Sequence, residues 1–295
     1  MGSINNLGFD LDLNGNIINT KDVQWSWNAN FSHYRNKILS LDESVAKDGI
    51  KFTGGIYSVG GSLYEGYMYK FAGVDEATGK GLYYKKIYDV DEDDNPYWTG
   101  EEEITDNFAE LTNSSSHDDR YKLGSFLPKL FGGFGTSLNA YGFDFSVQCS
   151  YQLGGRYYDG TYQALMHTQD NAGQNIHKDI LLAWTPENTQ TNVPRWDGDI
   201  MVAQTPVDRF VISSNYLSIN NVTLGYTIPA YKVNKYGIAA LRLYVAGENL
   251  YVFSARKGLD PRFAIGIGSM TANTGLGSGS YGAMRNITGG ITLTF

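Results

Sequence analysis

The run Phe143-Asp144-Phe145-Ser146-Val147-Gln148-Cys149-Ser150-Tyr151 places an apolar side chain at every second position and a polar one between each pair. Successive residues of a strand point to opposite faces. Phe143, Phe145, Val147, Cys149 and Tyr151 therefore share one side, and Asp144, Ser146, Gln148 and Ser150 share the other. Other segments repeat the pattern. Leu7, Phe9, Leu11 and Leu13 alternate with Gly8, Asp10 and Asp12. Val23, Trp25, Trp27, Ala29 and Phe31 alternate with polar residues, and Leu130, Gly132, Phe134, Thr136 and Leu138 form a weaker version. Leu217 and Ile219 open another strand, which Val222, Leu224, Tyr226 and Ile228 continue in the opposite phase. That slip at Asn220-Asn221 predicts a β-bulge, in which one extra residue restores the facing. Leu241, Leu243 and Val245 alternate with Arg242 and Tyr244. Ile287, Gly289, Ile291, Leu293 and Phe295 finish the sequence against Asn286, Thr288, Thr292 and Thr294.

The connections between these segments alternate between short and long. Asn14-Gly15 reads as the lead into a short link, Tyr141-Gly142 as a tight hairpin turn, and Pro229 to Ile238 as a modest turn. Between them lie three long excursions, at 34–127, 154–213 and 254–284. Compact soluble domains rarely hold structureless loops beyond about 12–15 residues. Outer-membrane barrels do, with short turns on the periplasmic rim and long loops outside. With Phe295 at the periplasmic rim, every long excursion falls outside and every short turn inside. Open sheet edges in lipid would leave backbone groups unpaired at several kcal/mol each. The predicted fold is therefore all-β, the C-terminal part of a large antiparallel transmembrane β-barrel with its other strands upstream. Helical rhythm over Tyr157–Gln169 and Ile176–Ala183 predicts short helices in the second excursion.

Composition agrees. Charged residues are 18% of the chain, against roughly 25% in ordinary soluble domains, while Gly (35) and Tyr (22) are abundant and Pro (7) is scarce. Mean hydropathy is negative, and no apolar run approaches the roughly 18 residues that a spanning helix needs. The net charge of −8 excludes a nucleic-acid partner as the simple reading. Cys149 is the only cysteine, so no internal disulfide forms, and its place in the strand makes it a small packing residue. Met1-Gly2-Ser3 has no basic or apolar leader, and the expectation is that the protein begins further upstream.

Five blocks resemble the SusC/RagA family of TonB-linked outer-membrane proteins. They are Tyr69-Lys-Phe-Ala-Gly-Val-Asp75 with Thr78-Gly79, Leu127-Pro-Lys-Leu-Phe-Gly-Gly-Phe134, Trp184-Thr-Pro-Glu-Asn-Thr-Gln-Thr-Asn-Val-Pro-Arg195, Ser214 to Pro229, and Leu241 to Tyr251 followed by Lys257-Gly-Leu-Asp-Pro261. They stand in family order across nearly the whole chain. The resemblance implies a barrel of about 22 strands whose N-terminal plug and early strands are not in this sequence. It implies import of oligosaccharides or peptides across the outer membrane of a Gram-negative cell. Its implied partners are a SusD-like surface lipoprotein, the TonB complex acting through the plug, and outer-membrane lipid. It further implies that Phe295 is the signal read by the barrel-assembly machinery. The chain departs from the pattern at Asp89–Asn95, where an insertion precedes Asp118-Asp119-Arg120, and at Ala283-Met284-Arg285, where a Pro-containing turn is usual.

Candidate sites are sparse. Asp89, Asp91, Asp93 and Asn95 have the alternate spacing by which oxygens converge on Ca²⁺, but Asp94 stands where a sharp-turn Gly belongs and Gly100 where the bidentate Glu belongs. A structural Ca²⁺ is thus the one cofactor to test against a plain solvated acidic loop. Glu101-Glu102-Glu103 extend that acidic surface. His33, His117, His167 and His177 have no metal-ligand spacing. Trp98, Tyr157, Tyr158, Trp184 and Trp196 offer flat apolar faces with polar edges, suited to sugar rings or peptide side chains; for Trp184 a loop-fixing role competes. Trp25, Trp27, Tyr226 and Tyr251 read as interfacial girdle or lipid face. No nucleophile motif, phosphate loop or tied carboxylate pair appears, so the expectation is no catalysis. The competing classes are a non-transporting surface adhesin or receptor, which would lack the plug, and an all-β carbohydrate-active enzyme.

Overall fold

The computed structural model describes residues 2–166, 173, 175–196, 205–256, 260–263 and 283–295. β1 (Ser3–Asn19) and β2 (Val23–Ser40) form a long hairpin. The first excursion then builds β3 (Ile50–Phe52), β4 (Gly55–Tyr57), β5 (Glu65–Met68), β6 (Phe71–Val74), β7 (Gly81–Val90), β8 (Pro96–Thr105) and β9 (Tyr121–Ser125). β10 (Leu130–Ala140) and β11 (Phe143–Leu153) return along the long sheet. The second excursion holds β12 (Arg156–Tyr158) and β13 (Val211–Ser213). β14 (Tyr216–Ile228), β15 (Ala240–Ser254) and β16 (Asn286–Thr294) complete the chain.

One seven-stranded antiparallel wall runs in the order β1-β2-β10-β11-β14-β15-β16. Apart from the excursions, each wall strand pairs with the next one along the chain. Its register sorts the faces. Trp25, Leu138, Phe145, Leu224, Val245 and Gly289 lie opposite one another in a single cross-strand row. One residue along, Asn16, Ser26, Ser137, Ser146, Thr223, Ala246 and Thr288 form a row on the other face. The apolar face is left open: Leu224 is 53% exposed and Val245 56%. An uncovered apolar face running across every strand far exceeds the patches that soluble monomers show. It fits hydrocarbon, with the polar face turned to a lumen.

Aromatic side chains mark both ends of that face. Trp25, Trp27 and the Phe143–Tyr226 ring pair (4.5 Å) lie toward the short turns. The Tyr251–Phe253 ring pair (4.6 Å) and Tyr151 lie toward the long excursions. From Phe143 to Tyr151 the strand is roughly 27 Å long at about 3.4 Å per residue, close to the height of a barrel's apolar band. The bulge is where the phase slip placed it: Asn220 is skipped in the pairing of β14 with both β11 and β15.

Three sequence expectations need correction. Asn14-Gly15 is not a turn. β1 runs on to Asn19, and Asn14 and Gly15 pair with Asn28 and Trp27. Gly15 is small because the Trp27 indole nitrogen lies 2.9 Å from where a Cβ would stand. β2 also runs on to Ser40, so the first excursion begins later than residue 34. Beyond Ser32, β2 no longer pairs with β10. There Ile38, 1% exposed, is buried on the phase that was polar lower down, and the alternation that identifies a lipid-facing strand is lost. Finally, the excursions are not structureless. The first folds into a four-stranded sheet, β3-β4-β5-β9, and a three-stranded sheet, β6-β7-β8. In the second, a helix covers Gly160–Leu165 and a tight 3-10 turn Lys178–Leu182. The predicted helix is shortened because Tyr157 and Tyr158 belong to β12. Residues 167–169, and most of the third excursion, lie outside the described residues.

Candidate functional site

The long excursions gather into a crown above one end of the wall. Met68, Tyr69, Tyr83, Phe108, Phe126, Tyr158, Val207 and Phe210 form its buried core, drawn from both the first and second excursions. The β12–β13 pair lines one side of a cavity of about 420 Å³, together with Leu123, Gly154, Gly155, Asp208 and Asn215. Gly154 has φ +80°, and a Cβ on Gly155 would stand 2.3 Å from the Ser214 hydroxyl, so backbone forms that floor. The Arg156 guanidinium donates to the Leu123 carbonyl. The Asn215 side-chain oxygen accepts from the Gly154 N–H at 2.6 Å. Asp208 accepts from the Phe71 N–H at 2.8 Å, and burial pushes its carboxyl pKa up. A guanidinium, a carboxyl, a hydroxyl on Ser213 and an amide thus surround one opening.

Asp118 centres a second network. Arg120 donates to it through Nε (2.9 Å) and Nη2 (2.8 Å), and Lys51 Nζ stands 2.9 Å away. Burial alone would raise the Asp118 carboxyl, but Arg120 and Lys51 outweigh it and hold the pKa below the usual carboxylate range. Asp119, 1% exposed, accepts from the backbone N–H groups of Lys86 and Thr112. Lys86 donates to the carbonyls of Asp118 and Arg120. The Asp118-Asp119-Arg120 run thus ties the two small sheets together.

Two distant sequence blocks clasp each other. Gly79 has φ +75°, and the Trp184 ring lies 2.5 Å from where its Cβ would be. Trp184 Nε1 donates to the Glu76 carbonyl at 2.9 Å, and the Arg195 N–H donates to the Gly79 carbonyl at 2.7 Å. Asp75 shapes that turn by accepting from Thr78 Oγ1 (2.5 Å) and the Ala77 N–H (3.0 Å). Trp184 therefore fixes a loop, as the competing reading had it.

The remaining sequence candidates separate in space. Tyr158 is 4% exposed and donates to Gln163 Oε1 at 2.7 Å, so it is a core residue and not an open ligand contact. Tyr157 is half-buried beside it in β12. Trp98, 44% exposed, donates to the Glu101 carbonyl and carries Lys86 over its ring at 5.2 Å. Trp196 is 44% exposed. The five aromatics do not line one cleft. Asp89, Asp91, Asp93 and Asn95 do not converge either. Asp91 spends its carboxylate on the turn between β7 and β8, accepting from the N–H groups of Asp93 and Asn95. Its pKa is lowered chiefly by the Asn95 N–H. Among the described residues no group of three or more His, Cys, Asp or Glu side chains is placed to hold a metal. Asp94 takes φ +60° within that hairpin turn.

Sequence reading passed over two wall features. Asp144 and Arg242 form a bidentate ion pair on the polar face, with Nε to Oδ1 at 2.9 Å. They reach each other across β14 because Gly225 stands between them; a Cβ there would lie 2.3 Å from Asp144 Oδ1. Opposite charges on otherwise neutral polar phases were the available signal. Arg262 pairs with Asp260 and donates to Ser218 Oγ (3.0 Å) and Asn249 Oδ1 (3.2 Å), pinning the third excursion to the bulged end of β14 and β15.

Comparison with known proteins agrees with this architecture. The chain is 27% identical to TonB-dependent receptor P3 of Formosa agariphila, covering 100% of this chain and 29% of the relative. The chain matches a stretch of a SusC/RagA-type TonB-dependent receptor barrel. It is 24% identical to TonB-dependent receptor SusC of Bacteroides thetaiotaomicron over 90% of its own length. Among solved structures it superposes on the RagAB peptide transporter with a TM-score of 0.76 at 27% identity, over all of this chain and 30% of that one. The 'closed-closed' state of the RagAB peptide importer gives a TM-score of 0.73. The chain thus spans about three-tenths of the length of the receptors it resembles. No family model matches it.

Proposed function

We propose that this chain supplies wall and crown to an outer-membrane, TonB-dependent importer of oligosaccharides or peptides. The observation that carries the reading is the wall's uncovered apolar face, with an ordered crown at one end only. β1 and β16 are open edges, and upstream strands would pair them to close the barrel. A plug inside would relay energy from TonB, and a SusD-like lipoprotein would sit over the crown. The RagAB neighbour is a peptide transporter, which makes peptides a cargo to test beside oligosaccharides. The test compares uptake of labelled oligosaccharides and peptides in cells with and without the full-length gene, and with TonB inactivated. Uptake lost in both mutant backgrounds supports import. Surface binding that persists without uptake, in the wild type, would favour the adhesin reading.

Phe295 continues the apolar phase of β16 and is 86% exposed. In this reading it is the recognition signal for barrel assembly. Removing it lowers the outer-membrane level of the full-length protein several-fold on fractionation; an unchanged level would count against that role.

A further inference from the structure

The wall sorts its charges by sign as well as by polarity. Asp10, Asp12, Asp144 and Glu248, the carboxylates of the wall strands, all stand on the polar phase. Among the Lys and Arg residues of those strands, Arg242 joins them there, paired with Asp144. Arg35 and Lys37 do not. They continue the apolar phase of β2 outward from Trp25, Trp27, Ala29, Phe31 and His33. The chain as a whole carries a net charge of −8. Its apolar phase, among the described wall residues, nevertheless holds cations and no carboxylate.

The surroundings of β2 fix where these cations lie. Asn36 and Ile38, on the opposite phase, are buried at 9% and 1% exposure, while Arg35 and Lys37 are exposed. The crown therefore packs on the inner side of β2, and the outer side stays open. β1 runs alongside, with Leu7 opposite Arg35 and Asn5 opposite Lys37. The open edge belongs to β1, so an upstream strand would pair there and leave these cations uncovered. The Phe31–Tyr151 ring pair, at 6.2 Å, marks the outer end of the apolar band. Arg35 stands four residues further out, roughly 13 Å along the strand and roughly 10 Å higher at a barrel tilt of about 40°. That height belongs to the headgroup layer above the hydrocarbon.

Neither cation is spoken for. Among the described residues Arg35 and Lys37 have no ion pair and no side-chain hydrogen bond. His33, the next residue inward on this phase, is committed: its Nδ1 donates to the Lys129 carbonyl at 2.6 Å. Residues two apart on a strand stand about 7 Å from each other on one face, so both cations can reach one anionic group. The Arg fork suits phosphate oxygens, and Lys adds a point charge. A cation on a lipid face is costly at mid-bilayer and tolerated near the interface, where long stems carry the charge to headgroups.

We propose that Arg35 and Lys37 form an outer-leaflet lipid site that takes the phosphate of the lipid A headgroup of lipopolysaccharide. The site rests on the reading of the apolar face as lipid-facing and is independent of cargo and of transport.

The test titrates the purified full-length receptor in neutral detergent with lipid A, with dephosphorylated lipid A and with phosphatidylglycerol, reading binding by thermophoresis. Insertion of the same proteins into liposomes is measured alongside by protease protection. The parent inserts and binds lipid A at least tenfold more tightly than either other lipid. The double variant Arg35→Gln, Lys37→Gln inserts equally well and loses that preference, whereas Lys37→Arg keeps it. Lys21→Gln, at the short-turn end of the wall, also keeps it. A parent that does not insert would overturn the lipid-face reading together with this site. A parent that inserts but shows no preference for the phosphorylated lipid, that binds phosphatidylglycerol as tightly, or whose preference survives in the double variant overturns this site alone.

Discussion

The wall and the crown are built from the same chain by different rules. In the wall, each residue's surroundings follow from its parity along a strand. Leu224 and Val245 face outward because they are in step with Phe145, and Thr223 faces inward because it is one residue out of step. In the crown, parity decides little. Tyr158 is buried by residues from both excursions, and Asp118 is held by Lys51 from far away in sequence as well as by nearby Arg120. A wall residue can be replaced by another of the same polarity, whereas a crown residue depends on particular partners.

The comparison breaks most visibly on the lipid face. Leu224→Arg puts a charge in the middle of the apolar row and costs roughly 2–4 kcal/mol if that row sits at mid-bilayer. Folding titrations into lipid vesicles measure it. A negligible cost would mean that this face does not meet hydrocarbon.

A comparable injury to the crown stays in the crown. Gly79→Leu forces a side chain into the Trp184 ring from a left-handed backbone, at a cost of roughly 3 kcal/mol from strain and overpacking. Limited proteolysis then opens the 69–80 and 184–195 segments while the wall remains resistant. Equal opening of both regions would show that they fold as one unit.

The Asp144–Arg242 pair tests whether a partner-specific contact matters inside the wall. Asp144→Ala or Arg242→Ala alone destabilises by about 1–2 kcal/mol by stranding the other charge in a partly buried site. The double variant recovers part of the loss, and a double-mutant cycle in refolded protein measures that coupling.

The smallest effect is a pH response confined to the crown. Because the Asp118 carboxyl is held below its ordinary value of 3.8, its contribution is complete above that value and fades as pH falls through the lowered one. Hydrogen exchange around Tyr67 and Arg120 therefore quickens below about pH 4, and Asp118→Asn removes the acid dependence.

The sequence by itself determined the wall. Period-two alternation, the phase slip at Asn220 and the order of short and long connections all survive in the structure, because a strand's facing is fixed locally by backbone geometry. Gly15 was misread for the same local reason: glycine next to asparagine signals a turn, and only the Trp27 ring across the hairpin shows why it is small. The tertiary structure alone decided which crown residues are available. Burial of Tyr158, the clasp of Trp184 on Gly79 and the reach of Asp144 to Arg242 past Gly225 all depend on contacts between distant segments. Such contacts leave no periodic trace, because each is set by where the chain returns in space and not by the residues on either side.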